Sequence, residues 1–254
     1  MINKILNKSK KVRKFFLNLI LDGNKYHLGG SLSCLDFICT AVYGGFININ
    51  RNQGLKNFIL SKGHALGIIY ALMIEKKIIS YSFFRKKIKA GALGGQLDIF
   101  NIKNFFEWNS GSLGHSVGVC IGMALTTKQK IWTLIGDAEI DEGSIWEALF
   151  FIKDKKLKNI IIVIDKNNVS ASKTIFKKGN LNPEILKKFG LKYYEINGHN
   201  IGSIFNTLKK VKKQNCSSFI ILNTIKGKGI KEIENNIKFS HQMPEKKIIE
   251  KYVR

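Results

Sequence analysis

The stretch "KIWTLIGDAEIDEGSIWEALFFIKDKKLKNIIIVIDKNN", residues 130–168, decides the fold. It opens on an apolar run, "KIWTLIGD" (130–137), passes through "SIWEALFFIKD" (144–154) and closes on a second apolar run, "NIIIVIDKNN" (159–168). Both outer runs are continuously apolar rather than alternating, the pattern of strands buried on both faces of a parallel sheet. The middle segment reads as the helical crossover that parallel strands require. Ligands of an open parallel sheet bind beyond the carboxyl ends of its strands, and Asp137 and Asn167 stand at two such ends. A carboxylate and an amide oxygen at one rim, with a main-chain carbonyl such as that of Val169, make a hard oxygen set suited to Mg²⁺ or Ca²⁺. Gly136, lacking a Cβ, leaves room for an anion against the backbone. A helix beginning near Gly143 points its positive end at the same place, which favours a diphosphate. Glu139, Asp141 and Glu142 read as acids of that helix start. A Gly-Asp pair is also a common strand end with no ligand, and these residues alone leave both readings open.

Outward from this unit the theme repeats. "LKYYEIN" (191–197) and "SFIILNTIKGKG" (218–229) read as further strands, with "SIFNTLKKVKK" (203–213) as the helix between them. Upstream, "HLGGSLSCLDFICTAVYGGF" (27–46) reads as a Gly-rich loop feeding a buried helix from about Ser33. "NFILSKGHALGIIYALMIEKK" (57–77) reads as a short strand, a Gly-His turn and a second apolar helix. "GSLGHSVGVCIGMALTTK" (111–128) is a helix with small residues on one face, and residues 80–112 read as an irregular loop. Only Pro183 and Pro244 occur, and nothing marks a linker. The expectation is one α/β domain over 1–254, a doubly wound, mostly parallel sheet with helices on both faces.

Composition narrows the partners. The formal net charge is +24, which would suit nucleic acid, yet of 42 basic residues only Arg13, Arg51, Arg85 and Arg254 are arginine. Phosphate and base readout favour the bidentate guanidinium, so an excess of Lys, Ile and Asn is read as coding bias, and no nucleic-acid partner is expected. A positive surface remains suited to phosphorylated substrates. Cys34, Cys39, Cys120 and Cys216 form no CxxC pair, which argues against a zinc site or disulfide framework and fits a reducing cytoplasm. The opening residues resemble a secretion signal, but Val12, Phe15, Phe16, Leu19 and Ile20 have amphipathic-helix spacing. No stretch approaches the ~20 apolar residues that span a bilayer, so no membrane partner is expected.

The Gly-Asp pair followed after about thirty residues by Asn resembles the thiamine-diphosphate signature. Around it "HLGGSLS", "ILSKGHALGIIYAL", "GSLGHSVGVCIGMAL" and "IKGKGIKEIENN" look like successive blocks of transketolase, in the same order, over about 12–244. The resemblance implies the thiamine-diphosphate-binding fold and a transferase that moves a two-carbon ketol unit from a ketose phosphate to an aldose phosphate, with thiamine diphosphate and Mg²⁺ (or Ca²⁺). Transketolase has three domains, and this chain matches the diphosphate-binding one. The pyrimidine-binding and C-terminal domains are therefore expected on a partner, a C-terminal transketolase subunit that supplies the pyrimidine-activating glutamate, in an α2β2 assembly. A half-site would also leave the reacting carbon open to water.

Carried onto this sequence, Asp137, Asn167 and the Val169 carbonyl match the metal ligands. Gly136 matches the diphosphate glycine, and Gly111, Leu113 and Gly114 match the loop that meets the aminopyrimidine and diphosphate. His27, His64 and His241 match histidines around the thiazolium and the donor hydroxyls, places where a neutral ring can both donate and accept. By itself His27 reads better as a capping or turn residue, while His64 could equally satisfy a helix terminus. His115 and His199 read as structural, and Lys226 and Lys228 as either phosphate contacts or a solvated loop. Three departures stand out. Ala138 replaces the signature's second glycine, and is tolerated where φ is negative. Gln96 occupies the place of a donor-contacting histidine, which leaves room for a specialised ketol or acyl transfer. Lys166 stands where an acidic or aromatic residue is frequent. Two other readings are a relative making an acyloin or ketol product in a biosynthetic pathway, and a non-catalytic assembly subunit.

Overall fold

The two apolar runs that frame residues 130–168 lie side by side, paired residue for residue from Ile131↔Ile160 to Gly136↔Asp165. The computed structural model describes residues 1–24, 26–52, 54–89, 102, 105–106, 108–169, 183–240 and 242–253. In chain order its elements are α1 (Ile2–Leu21), α2 (Leu28–Tyr43), the short antiparallel pair β1 (Ile49–Asn50) and β2 (Gly54–Leu55), β3 (Phe58–Leu60), α3 (Leu66–Glu75), α4 (Tyr81–Lys89) and α5 (His115–Thr126). There follow β4 (Ile131–Gly136), α6 (Gly143–Asp154), β5 (Ile160–Lys166), α7 (Pro183–Lys188), β6 (Lys192–Asn197), α8 (Ile201–Lys213), β7 (Ser218–Asn223) and α9 (Lys246–Glu250). The main sheet has the order β3-β4-β5-β7-β6 and every pairing in it is parallel. Its carboxyl ends therefore converge on one rim.

Strand alternation divides the core. Trp132, Leu134, Ile161, Val163, Ile220 and Leu222 face the cluster that includes α1, α2, α3 and α8. Ile131, Ile135, Ile160, Ile162, Ile164, Phe219 and Ile221 face the cluster built on α5, α6 and α7. Both faces are thus covered, which is why the strands read as unbroken apolar runs. Each such buried side chain contributes about 1.5–3 kcal/mol before entropy is subtracted. The first helix is amphipathic as its spacing predicts, burying Ile5, Val12, Phe16, Leu19 and Ile20.

Two expectations are corrected. The Gly-rich segment at 28–32 is not a loop: α2 already runs from Leu28, with Gly29 and Gly30 buried inside it. A Cβ on Gly30 would lie 2.9 Å from His64 Nε2, and one on Gly29 3.1 Å from Lys226 Cγ, so close packing overrides the poor helix propensity of glycine. Residues 80–112 are not wholly irregular, since α4 occupies 81–89. Between β4 and α6 a short 3₁₀ turn spans Asp137–Asp141, which sequence periodicity did not reveal.

The opposite, amino end of the sheet carries a cleft of about 1010 Å³ rich in lysine. There Lys130 Nζ donates to the carbonyls of Lys158 (2.6 Å) and Cys216 (2.9 Å), and Lys212 Nζ to that of Gly45 (3.1 Å). These cations lie near the C-terminal ends of α2, α6 and α8, where a helix dipole favours positive charge. Among the described residues no helix is long and apolar enough to cross a membrane.

Candidate functional site

The rim is organised around a carboxylate that sequence reading passed over. Asp165, on β5, is fully buried, and so is nearly all of Lys62, which follows β3. Lys62 Nζ pairs with Asp165 Oδ2 and also donates to the Gly30 carbonyl (2.7 Å) and Ser33 Oγ (3.1 Å). Asp165 Oδ2 further accepts from Ser33 Oγ (2.5 Å) and Asn167 Nδ2 (3.3 Å), while Thr224 Oγ1 donates to Oδ1. Burial alone would push the Asp165 carboxyl up, but the Lys62 ammonium and the hydroxyls outweigh it and hold the group below the usual range. Lys62 is raised for the complementary reason, Asp165 overcoming its desolvation. A charge ending a buried strand needs such partners, and that was the available signal: "IIIVID" closes an apolar run on an acid, and "ILSKGH" places a lysine inside another.

From this hub Asn167 receives its orientation. With Nδ2 engaged by Asp165, its Oδ1 accepts from the Val169 N–H at 3.1 Å. Across the rim Asp137 Oδ2 accepts from the Asn168 N–H (2.7 Å) and Oδ1 from the Ala138 N–H (3.0 Å). Asn168 sits at φ 57, a left-handed position that Asn tolerates better than most residues. The structure therefore brings Asp137, Asn167 and Val169 to one place. The third oxygen, the Val169 carbonyl, accepts from Lys226 Nζ at 2.9 Å, so an ammonium occupies it in this structure. Burial and the neighbouring Asp165 push the Asp137 carboxyl above its ordinary value, against the pull of the Asn168 N–H. A carboxylate, an amide oxygen and a carbonyl fit a hard divalent ion. Among the described residues no group of three or more His, Cys, Asp or Glu could hold a metal.

Glu139 adds to another expectation. Beyond a helix-start acid, it is a buried acceptor, taking bonds from Ser61 Oγ (2.5 Å), Gly114 N–H (3.0 Å) and Gly136 N–H (2.9 Å). It thereby ties the 111–114 loop to the end of β4. Gly114 has φ +79, and a Cβ there would come within 2.7 Å of Glu142 Cβ, so only glycine fits. Leu113 is 46 % exposed on the same loop, and Gly111 adopts φ +153. At Gly136 a Cβ would meet only Glu139 Oε1 at 3.9 Å, so the chain itself does not fill the space in front of it. Ala138 is not among the residues with positive φ, so the departure from glycine costs the backbone nothing.

His27 and His64 come together, their rings 5.2 Å apart at 64°. His27 occupies the N-cap position of α2 without a side-chain cap bond, and it is exposed. The half-buried His64 is pushed well below the usual imidazole range by burial and by the charges of Lys62 and His27, which keeps its ring neutral. His115 is exposed at the start of α5, with Ser112 Oγ 3.4 Å from Nε2. Lys166 pairs with Glu195 at 3.1 Å, reaching across β7 to the edge strand β6. Gln96 and His241 lie outside the described residues.

Residues 9–247 match the model of the transketolase thiamine diphosphate binding domain. The chain is 30 % identical to a subunit of the apulose-4-phosphate transketolase of Actinobacillus succinogenes, over 95 % of its length and 92 % of that protein's. It is 31 % identical to SqwG, a subunit of the 6-deoxy-6-sulfo-D-fructose transketolase of Clostridium sp., covering 91 % of this chain and 88 % of that one. Transketolase from Campylobacter jejuni shares the fold with a TM-score of 0.85 at 24 % identity, over 98 % of this chain. The chain spans only 42 % of that structure's length but nearly all of the relatives named as single subunits of a transketolase.

Proposed function

The chain belongs to the transketolase thiamine-diphosphate-binding family, and we propose that it is the diphosphate-binding subunit of a two-chain, Mg²⁺-dependent transketolase of the cytoplasm. In this reading a ketol unit passes from a ketose phosphate to an aldose phosphate, and a C-terminal subunit contributes the pyrimidine-activating glutamate within an α2β2 assembly. The observation that supports the reading is the meeting of the β4 and β5 ends, where Asp137 Oδ2 accepts from the Asn168 N–H and Asn167 Oδ1 from the Val169 N–H.

When bound, thiamine diphosphate supplies a nucleophilic carbon and an electron sink for the transfer. Asp137, Asn167 and Val169 would hold the metal, while Gly136 and the Gly111–Leu113–Gly114 loop leave space for the diphosphate and aminopyrimidine. The neutral ring of His64, beside His27, would hydrogen-bond donor hydroxyls and could accept or return a proton at a ring nitrogen. His241 and Gln96 are assigned donor contacts by resemblance alone. Relatives named for apulose 4-phosphate and 6-deoxy-6-sulfo-D-fructose, with Gln in place of an expected histidine, favour a second reading in which the donor is a specialised sugar.

Asp137→Ala is expected to abolish Mg²⁺-dependent binding of thiamine diphosphate by the assembled enzyme; unchanged affinity in calorimetry would refute the metal assignment. Incubation with xylulose 5-phosphate and ribose 5-phosphate separates the two substrate readings. Sedoheptulose 7-phosphate supports the general transketolase, and its absence supports the specialised donor.

A further inference from the structure

The turn after β7, residues 224–229, is clamped from several elements at once. Thr224 Oγ1 is bound to Asp165, the Gly227 N–H donates to the Gly29 carbonyl (3.0 Å), and Arg13 Nη1 donates to the Lys228 carbonyl. Between these, the Ile225 N–H donates to His199 Nε2 at 2.8 Å. A backbone N–H can only donate, so Nε2 must be the unprotonated acceptor and the ring proton sits on Nδ1. Nδ1 lies 3.1 Å from Asp36 Oδ2 and donates to it. Asp36 is itself held by Ser9 Oγ (2.8 Å) and Arg13 (3.9 Å). Burial raises its carboxyl, but the His199 and Arg13 contacts outweigh that and keep it below the usual range.

The backbone is shaped to deliver this ring. The Gly198 N–H donates to the Asn223 carbonyl (2.9 Å), and a Cβ at Gly198 would overlap the Thr224 methyl and lie 3.0 Å from Leu222 Cβ. Only glycine lets the chain press against the end of β7, and the following ring then reaches Ile225. What the clamped turn presents is Lys226, whose Nζ stands 2.9 Å from the Val169 carbonyl at the rim.

We propose that His199, oriented by Asp36, is a positioning residue that fixes the Ile225–Lys226 turn so that the Lys226 ammonium stands at the oxygen rim. The proposal rests on the reading of that rim as a metal and diphosphate site. His199 acts through the Ile225 main chain.

Two readouts test it on the full chain. Hydrogen exchange needs no ligand. His199→Phe keeps a ring but removes the acceptor, and it should speed exchange across 225–229 about tenfold while leaving β6 and β7 unchanged. The second readout is calorimetric titration with inorganic pyrophosphate and Mg²⁺. His199→Phe should weaken affinity about tenfold, the effect of one lost hydrogen bond, and His199→Gln, which retains an acceptor, should recover most of it. In a Lys226→Met background the same substitution should cost nothing further, because the effect passes through Lys226. Exchange at 225–229 unaltered in His199→Phe overturns the proposal, as does an undiminished penalty in the Lys226→Met background. Should the wild-type chain ignore Mg²⁺ and pyrophosphate, the diphosphate reading falls, and the exchange comparison still decides whether His199 sets the turn.

Discussion

Glu139 and His64 show how much of the site is made by single side chains whose environment the sequence does not announce. Glu139 satisfies two backbone N–H groups and a hydroxyl from three separate segments. Glu139→Ala leaves these donors without their acceptor, and its expected cost is about 1–3 kcal/mol, read as a lower urea midpoint at unchanged m-value. A midpoint within error of wild type would show that water replaces the carboxylate freely. For His64 the folded-state pKa is depressed, chiefly by burial and then by Lys62 and His27. The unfolded imidazole takes up a proton near pH 6.5, whereas the folded one does so only at lower pH. Between those points the unfolded chain binds more protons, so this contribution is intact above about pH 6.5 and is lost on acidification, at no more than about 1.4 kcal/mol per pH unit. Urea unfolding at pH 7.5 and 5.5 should accordingly show a smaller acid loss for His64→Gln than for wild type. Equal losses would remove His64 as the source.

At the scale of elements, helix position is set by glycines that admit a neighbour rather than by propensity. Gly67 lies in α3, where a Cβ would come 2.5 Å from Phe16 Cε2 on α1 and 3.0 Å from Tyr26. An added methyl must push α1 outward or force Phe16 off its rotamer, so Gly67→Ala should destabilise by about 1–3 kcal/mol despite the better helix propensity of alanine. Thermal unfolding decides the sign, and an unchanged or raised Tm would show that α1 yields without penalty. The same logic explains α2. Its glycines look like a loop in isolation, but they are helical because His64 and Lys226 occupy the volume where side chains would be.

For the whole molecule, the parallel sheet collects on one edge residues from the ends of β3, β4, β5 and β7, and leaves lysines to complement helix C-termini at the other. The chain covers nearly all of relatives named as one subunit of a transketolase and well under half of the Campylobacter transketolase chain. On the proposed two-chain reading, ketol transfer is expected only after mixing with a second polypeptide that carries a pyrimidine-binding domain. Turnover of xylulose 5-phosphate or a specialised ketose by this chain alone would contradict the two-chain reading.

The strand–helix–strand unit at 130–168, the double burial of its strands and the placement of Asp137 and Asn167 at neighbouring strand ends were legible in the sequence, because periodicity and burial are local signals that an apolar run carries within itself. The helical state of the 28–32 segment, the burial of Glu139, the Lys62–Asp165 pair and the tautomer of His199 were decided only by the tertiary structure. Each depends on groups brought together from distant parts of the chain: Asp165 is bound by residues 33, 62, 167 and 224, and His199 by residues 36 and 225. A buried polar group takes its state from the partners that satisfy it, and those partners exist only once the sheet has assembled.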